Sequence, residues 1–201
     1  MGGSVSPITA SALAVLIDGE SIPVPAGTSL TYAETRWSYR QPISYELRNA
    51  AGEPIGTITP VDDRTRRVSV VRVGERPALL LTVDRAGNTS VARPDGTALG
   101  EFRRRFAVFT FRMELRGDGR TAGTLVHRGG TSASVTVPGG TVAARIRRSR
   151  GMRFAGARVS EVHLTGAGIP PLSGALLVAA VPALDAMRKA RRRSSFMSGG
   201  S

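Results

Sequence analysis

A mainly β fold is what this sequence predicts: a closed β-barrel of antiparallel hairpins around a hydrophobic C-terminal helix. Three observations carry it. The stretch LSGALLVAAVPALDAM, Leu172 to Met187, is apolar at every residue from Ala175 to Leu184. A helix that is greasy all round must be enclosed on all sides. The chain before it, from about Ser11 to Leu164, reads as short strands with turn punctuation, the spacing of an all-β barrel or sandwich. Finally, one hairpin unit recurs: ISYELRNAAGEPIGTI from Ile43, NTSVARPDGTALGEF from Asn88 and FRMELRGDGRTAGTL from Phe111. Each has an extended run, a polar turn, then Gly-x-x-x-Gly, with the pairs Gly52/Gly56, Gly96/Gly100 and Gly119/Gly123. Asp95-Gly96 and Asp118-Gly119 are hairpin dipeptides, and the second glycine marks a bulge or a close backbone approach. Gly-x-x-x-Gly also marks packed membrane helices, but Glu53, Asp95 and Arg120 flank these and no long apolar segment surrounds them.

In chain order, MGGSVS fits a myristoylation signal, Gly2 with Ser6. It reads more simply as a flexible end, so residues 1–10 are expected to be flexible. Ser11 to Ile17 is expected as a strand, turned at Asp18-Gly19, with SIPVP returning. Leu30 to Tyr39 is another, and Trp37 is expected in the core or at its rim. Arg67 to Val73 and Ser132 to Val137 alternate. Pro77 to Val83 and Phe106 to Phe111 are continuous apolar runs, as for strands buried on both faces. Val142 to Ile146 and Ala157 to Leu164 complete the series. Pro170 and Pro171 stop the last strand, and Ser173 is the expected N-cap of a helix over 172–189. Pro182 should kink that helix or reset its start. Residues 11–189 are expected to form one domain, with 190–201 a basic, flexible tail. A membrane span needs roughly 20 apolar residues. Asp185 and the GAGIPPLSG turn cut this run short.

Composition narrows the chemistry. Of 201 residues, 28 are Lys or Arg against 15 Asp or Glu, a formal charge of +13, and Lys189 is the sole lysine. So basic a surface attracts polyanions, and Arg forks onto phosphate with two parallel bonds. There is no cysteine, which excludes disulfides, thiolate metal sites and Cys nucleophiles.

The hairpins YELRNAAGEPIGTI, RMELRGDGRTAGTL and SVARPDGTALGEF resemble the repeating units of the tubby-like superfamily. That group includes phospholipid scramblases and LURP-one-related proteins. The resemblance covers about Ile43 to Met187. It implies a closed barrel surrounding the C-terminal helix. Tubby proteins bind phosphoinositides through basic residues on the barrel wall; no individual position is carried over. Animal scramblases add a cysteine-rich segment and an acidic calcium-binding segment. Here there is no Cys, and the helix region holds only Asp185, so calcium-dependent scrambling is unsupported.

No enzyme signature stands out. His127 in LVHRGG and His163 in EVHLTG read as structural, since no Gly-x-Ser-x-Gly elbow accompanies them. His-Glu-x-x-His and EF-hand spacings are missing from the sequence, and the Gly-rich segments lack a phosphate-loop ending. No cofactor is expected. The candidate sites are the arginine clusters: Arg103, Arg104 and Arg105; then Arg145, Arg147, Arg148, Arg150 and Arg153; with Arg188 to Arg193 closing the helix. The expected function is a non-catalytic binding or scaffold module, cytoplasmic and peripheral to the membrane, whose basic surface meets anionic lipid headgroups. The alternative is an assembly or nucleic-acid-associated protein that neutralises phosphate with the same arginines. Sparse aromatics argue against a base-stacking platform.

Overall fold

The computed structural model describes residues 8–18, 27–35, 43–61, 67–105, 111–117, 119–127, 131–149, 159–165 and 174–197, with side chains of the final helix described through Arg191. Twelve antiparallel strands close into a barrel in simple meander order. They are β1 (Ser29–Glu34), β2 (Tyr45–Arg48), β3 (Pro54–Pro60), β4 (Val68–Val73), β5 (Arg76–Val83), β6 (Thr89–Ala92), β7 (Ala98–Arg105), β8 (Phe111–Gly117), β9 (Arg120–His127), β10 (Ser132–Thr136), β11 (Val142–Arg148) and β12 (Val159–Leu164). Strand β1 completes the ring by pairing with both β2 and β12. Helix α1 (Ala10–Asp18) precedes the strands and helix α2 (Gly174–Met197) follows them.

The recurring units are hairpins with a shared irregularity. In β2–β3, β6–β7 and β8–β9 the register slips by one residue in the returning strand, leaving Ile55, Leu99 and Ala122 without a cross-strand partner. Hairpins β4–β5 and β10–β11 carry the same bulge at Ala78 and Ala143. In the three recurring units the extra residue directly precedes the second glycine. A bulge bends its strand and sharpens the twist, as barrel closure requires. It also brings the two backbones and the helix close together. At Gly100 a Cβ would lie 2.3 Å from the Arg116 carbonyl oxygen and 3.1 Å from Leu176 on α2. All five bulged turns gather at one end of the barrel, the hairpin end. The other end, where α2 leaves the barrel, is the mouth.

Helix α2 lies along the interior. From Ala175 to Val181, and again at Ala183, Leu184 and Met187, its side chains are buried, so no face is wet. Inward residues of the strands, among them Leu30, Leu47, Leu79, Phe102, Leu115, Leu125 and Val162, complete the core. The run Pro77 to Val83 is not buried on both faces. Leu79 and Leu81 point in, while Leu80 is half-buried and Thr82 exposed. A barrel filled by its own helix has only one dry face per strand. Helix α2 also continues to Met197, so residues 190–197 are helical in backbone.

The segment Ser11 to Ile17 is helix, not strand. Leu13, Leu16 and Ile17 fall at the i, i+3, i+4 spacing of one helical face and are buried. Thr9 caps the helix, its hydroxyl accepting from the Ala12 amide at 3.2 Å. The helix packs on α2, β3 and β4 at the hairpin end. A Cβ on Gly174 would lie 2.3 Å from the Leu16 carbonyl oxygen, which fixes the crossing. Strand β1 ends at Glu34, short of the expected Tyr39. Trp37, SIPVP, residues 106–110 and Ser173 lie outside the described residues.

Pro182 sits inside α2 without ending it. Its missing N–H orphans the carbonyl four residues back, Val178. The fully buried Tyr32 supplies the replacement, donating its hydroxyl to Val178 O at 3.1 Å. Burial raises the Tyr32 phenol pKa well above its ordinary value, so it stays a donor. Tyr32→Phe is expected to cost about 1–3 kcal/mol, the penalty for an unsatisfied buried acceptor. The cost should shrink when Pro182→Ala restores an N–H for Val178 O. Chemical denaturation of the two single variants and the double variant measures that coupling.

Candidate anion-binding surface

Strand alternation divides each arginine run into outward and inward members. On β11, Ala144, Ile146 and Arg148 share the inner face, while Arg145 and Arg147 face solvent. Arg148 therefore does not join its neighbours on the wall. Its Nη2 donates to both carboxylate oxygens of Asp185, the single acid on α2, and its Nε lies 3.2 Å from Ser160 Oγ. Glu34 Oε1 is 3.6 Å from the same guanidinium. Tyr45 closes the cluster, donating to Asp185 Oδ2 at 2.7 Å. The side chains are 14% exposed at Arg148 and 7% at Asp185. Burial works against the Arg148 cation, but Asp185 outweighs it and holds the pKa above the ordinary guanidinium value. Burial, reinforced by the Asp185 carboxylate, pushes the Tyr45 phenol far up. The cluster is an internal, hydrogen-bonded tie between helix and wall.

The β7 run is divided as well. Arg103 pairs with Glu101 at 3.2 Å. Arg105 bonds to Glu114 on β8, which also accepts from Arg116 Nε at 3.0 Å and Thr121 Oγ1 at 2.7 Å. The bonds from Thr121, Arg116 and Arg105 hold the Glu114 carboxyl down at about 2, against an ordinary 4.5. With its folded-state pKa depressed, Glu114 stabilises the fold fully above pH 4.5 and loses that contribution as pH falls towards about 2. Glu114→Gln should accordingly flatten the acid limb of a stability–pH profile across that window, as thermal melts at each pH would show. Arg104 is exposed, its amide held by Asn88 Oδ1 at 2.8 Å, and has no ion pair among the described residues.

Arg145 and Arg147 are thus the outward cations of the β11 cluster, about 7 Å apart at strand spacing. Neither has an acidic partner among the described residues. Their cross-strand neighbours on β10 are the neutral Ser134 and Ser132. On β12 they face His163 and Glu161, and these two bond to each other at 3.3 Å. Arg150 and Arg153 lie outside the described residues. Sequence reading missed Arg112. It stands exposed on β8, directly opposite Arg105 across the ladder, but a phenylalanine and a methionine flank it instead of other arginines.

The two strand clusters do not merge, since β8, β9 and β10 lie between β7 and β11. At the mouth, Arg191 of α2 lies over the Phe111 ring, 4.3 Å from its centroid, and Arg188 meets His127. His127 is inward and 5% exposed, whereas His163 is on the outer wall. No helix among the described residues is long and apolar enough to cross a membrane.

Comparison with known proteins adds to the fold. The chain is similar to a protein of Arabidopsis thaliana known from its X-ray structure, with 16% identity and a TM-score of 0.56, covering 86% of this chain and 97% of that one. That likeness shows a shared fold over nearly the whole of both chains. No family model and no curated protein matches the sequence.

Proposed function

We propose that this barrel is a non-catalytic, tubby-like binding module, cytoplasmic and peripheral to the membrane, whose basic wall engages anionic lipid. The observation that carries the reading is the pair Arg145 and Arg147. Two guanidinium groups stand side by side on the wall, with the hydroxyls of Ser134 and Ser132 on one side and His163 and Glu161 on the other, and neither forms an ion pair among the described residues. Adjacent cations oppose each other along a strand face and gain from an anion placed between them. The hairpin resemblance and the enclosed helix support the tubby-like assignment.

Co-flotation with phosphatidylcholine vesicles, with and without phosphatidylserine, tests the function. Binding should require the anionic lipid and fade as salt rises, because screening shortens to about 8 Å at physiological ionic strength. Arg145→Gln with Arg147→Gln should weaken binding by about 2 kcal/mol, at about 1 kcal/mol per cation near an anionic leaflet. Both residues are exposed, so the melting temperature should stay put. Equal or tighter binding to duplex DNA at matched salt would favour the nucleic-acid alternative.

A further inference from the structure

We infer that the barrel meets the bilayer end-on, with its mouth against the lipid phosphates; this rests on the anionic-lipid reading above. The basis is an axial separation of charge that the strand order imposes. Arg67 directly precedes β4 at the mouth, Arg85 lies in the β5–β6 turn, Arg104 is the last residue but one of β7, Arg112 the second of β8, and Arg191 lies on the emerging helix. All five are exposed. The exposed acids at this end, among the described residues, are Asp84 in the β5–β6 turn and Glu161, opposite Arg147 on β12. Asp84 accepts from Asn88, and Glu34 and Asp185 face Arg148 inside the barrel.

The hairpin end is different. Asp18, Glu53, Glu75 and Asp95 are exposed there, interspersed with Arg48, Arg76 and Arg120. Helix α1 also covers that end, tied down by Arg93 Nη2 donating to the Asp18 carbonyl and Asn49 Nδ2 to the Ile8 carbonyl. Among the described residues the molecule is therefore basic at one end and mixed at the other. A strand of eight residues tilted by about 40° spans about 20 Å along a barrel axis. That is more than twice the screening length of about 8 Å. Only the end that faces the bilayer contributes, and the basic end wins. Arg147, one residue from the mouth end of β11, joins the wall site to this face.

Two measurements test the orientation. The first compares two triple variants of equal charge change in flotation with phosphatidylserine-containing vesicles. Arg67→Gln/Arg104→Gln/Arg112→Gln removes mouth cations; Arg48→Gln/Arg76→Gln/Arg120→Gln removes hairpin-end ones. Each mouth cation contributes about fivefold near an anionic leaflet, so the first variant should lose roughly a hundredfold and the second less than about twofold. The second measurement uses the absence of cysteine to place one environment-sensitive label per molecule. Ala86→Cys marks the exposed β5–β6 turn at the mouth and Ala51→Cys the exposed β2–β3 turn at the other end. A headgroup-attached quencher should dim the first label and spare the second. Equal losses in both triples, or quenching of the Ala51→Cys label instead, would overturn the orientation while wild-type binding leaves the lipid reading standing. Wild-type protein that ignores the anionic vesicles overturns both.

Discussion

A chain ending at residue 173 is expected to show no cooperative melting transition and to aggregate. The ring of twelve strands encloses a space that side chains of the strands do not fill alone, and α2 occupies it with Leu176, Leu177, Val178, Val181 and Leu184, none more than 4% exposed. Without the helix, the inner faces of every strand meet water or collapse on one another. Each fully buried Leu or Val side chain contributes about 1.5–3 kcal/mol of burial, and net stability of a domain is only about 5–15 kcal/mol. Losing five such side chains, with the strand surfaces they cover, exceeds that margin. A membrane anchor would behave otherwise: its removal would leave a folded barrel that merely fails to bind. Calorimetry of the truncated chain separates the two, and a transition near that of the full chain would refute the enclosed-helix account.

The second large effect belongs to Arg148. Arg148→Met should destabilise by about 3–5 kcal/mol, because it replaces the cation that faces the buried Asp185 carboxylate with a thioether. Asp185→Leu alone should cost a comparable amount by taking the carboxylate away from both the guanidinium and the Tyr45 hydroxyl. The double variant Arg148→Met/Asp185→Leu should recover part of the loss, since well-packed apolar replacements of a buried pair are often neutral, while Glu34 and the Tyr45 hydroxyl stay behind as polar members of the cluster. Denaturant melts of the three variants give the coupling. Strictly additive losses would mean that the two side chains do not act as a unit. What the apolar double variant gives up is definition: the tie sets how far α2 is threaded into the barrel.

The barrel and its helix were legible because their signals are local. Ala175 to Leu184 has no polar face to misread, and Asp-Gly turns followed by a bulge and a glycine recur at hairpin spacing. Helix α1 was not legible as helix. SALAVLI is too short and too uniformly apolar for either period to dominate, although Thr9 stood at the capping position. The arginine sites were legible in part. In RIRR, the alternation that sends Ile146 inward sends Arg148 with it, and only the register of the closed barrel says that Asp185 is waiting there. Arg105 looked available because Glu114, which neutralises it, comes from the next strand. Arg112 was overlooked because single arginines carry no sequence signal; its place at the rim is a product of strand order.

The position of α2 in the chain has a consequence for how the protein is made. Translation delivers all twelve strands before the segment that fills their interior. At about 5–20 residues per second, the nascent chain carries partnerless apolar strand faces for seconds before its core arrives. Local hairpins can form in that interval, since each pairs neighbours in sequence. The seam between β1 and β12 cannot usefully close, because a ring sealed early would shut the helix out. Ribosome-stalled chains arrested within β12 should therefore be cut readily by protease, and protection should appear in one step once α2 has cleared the exit tunnel. The bulged hairpins limit the exposure meanwhile, as each twists its own edge away from the flat pairing on which aggregates grow.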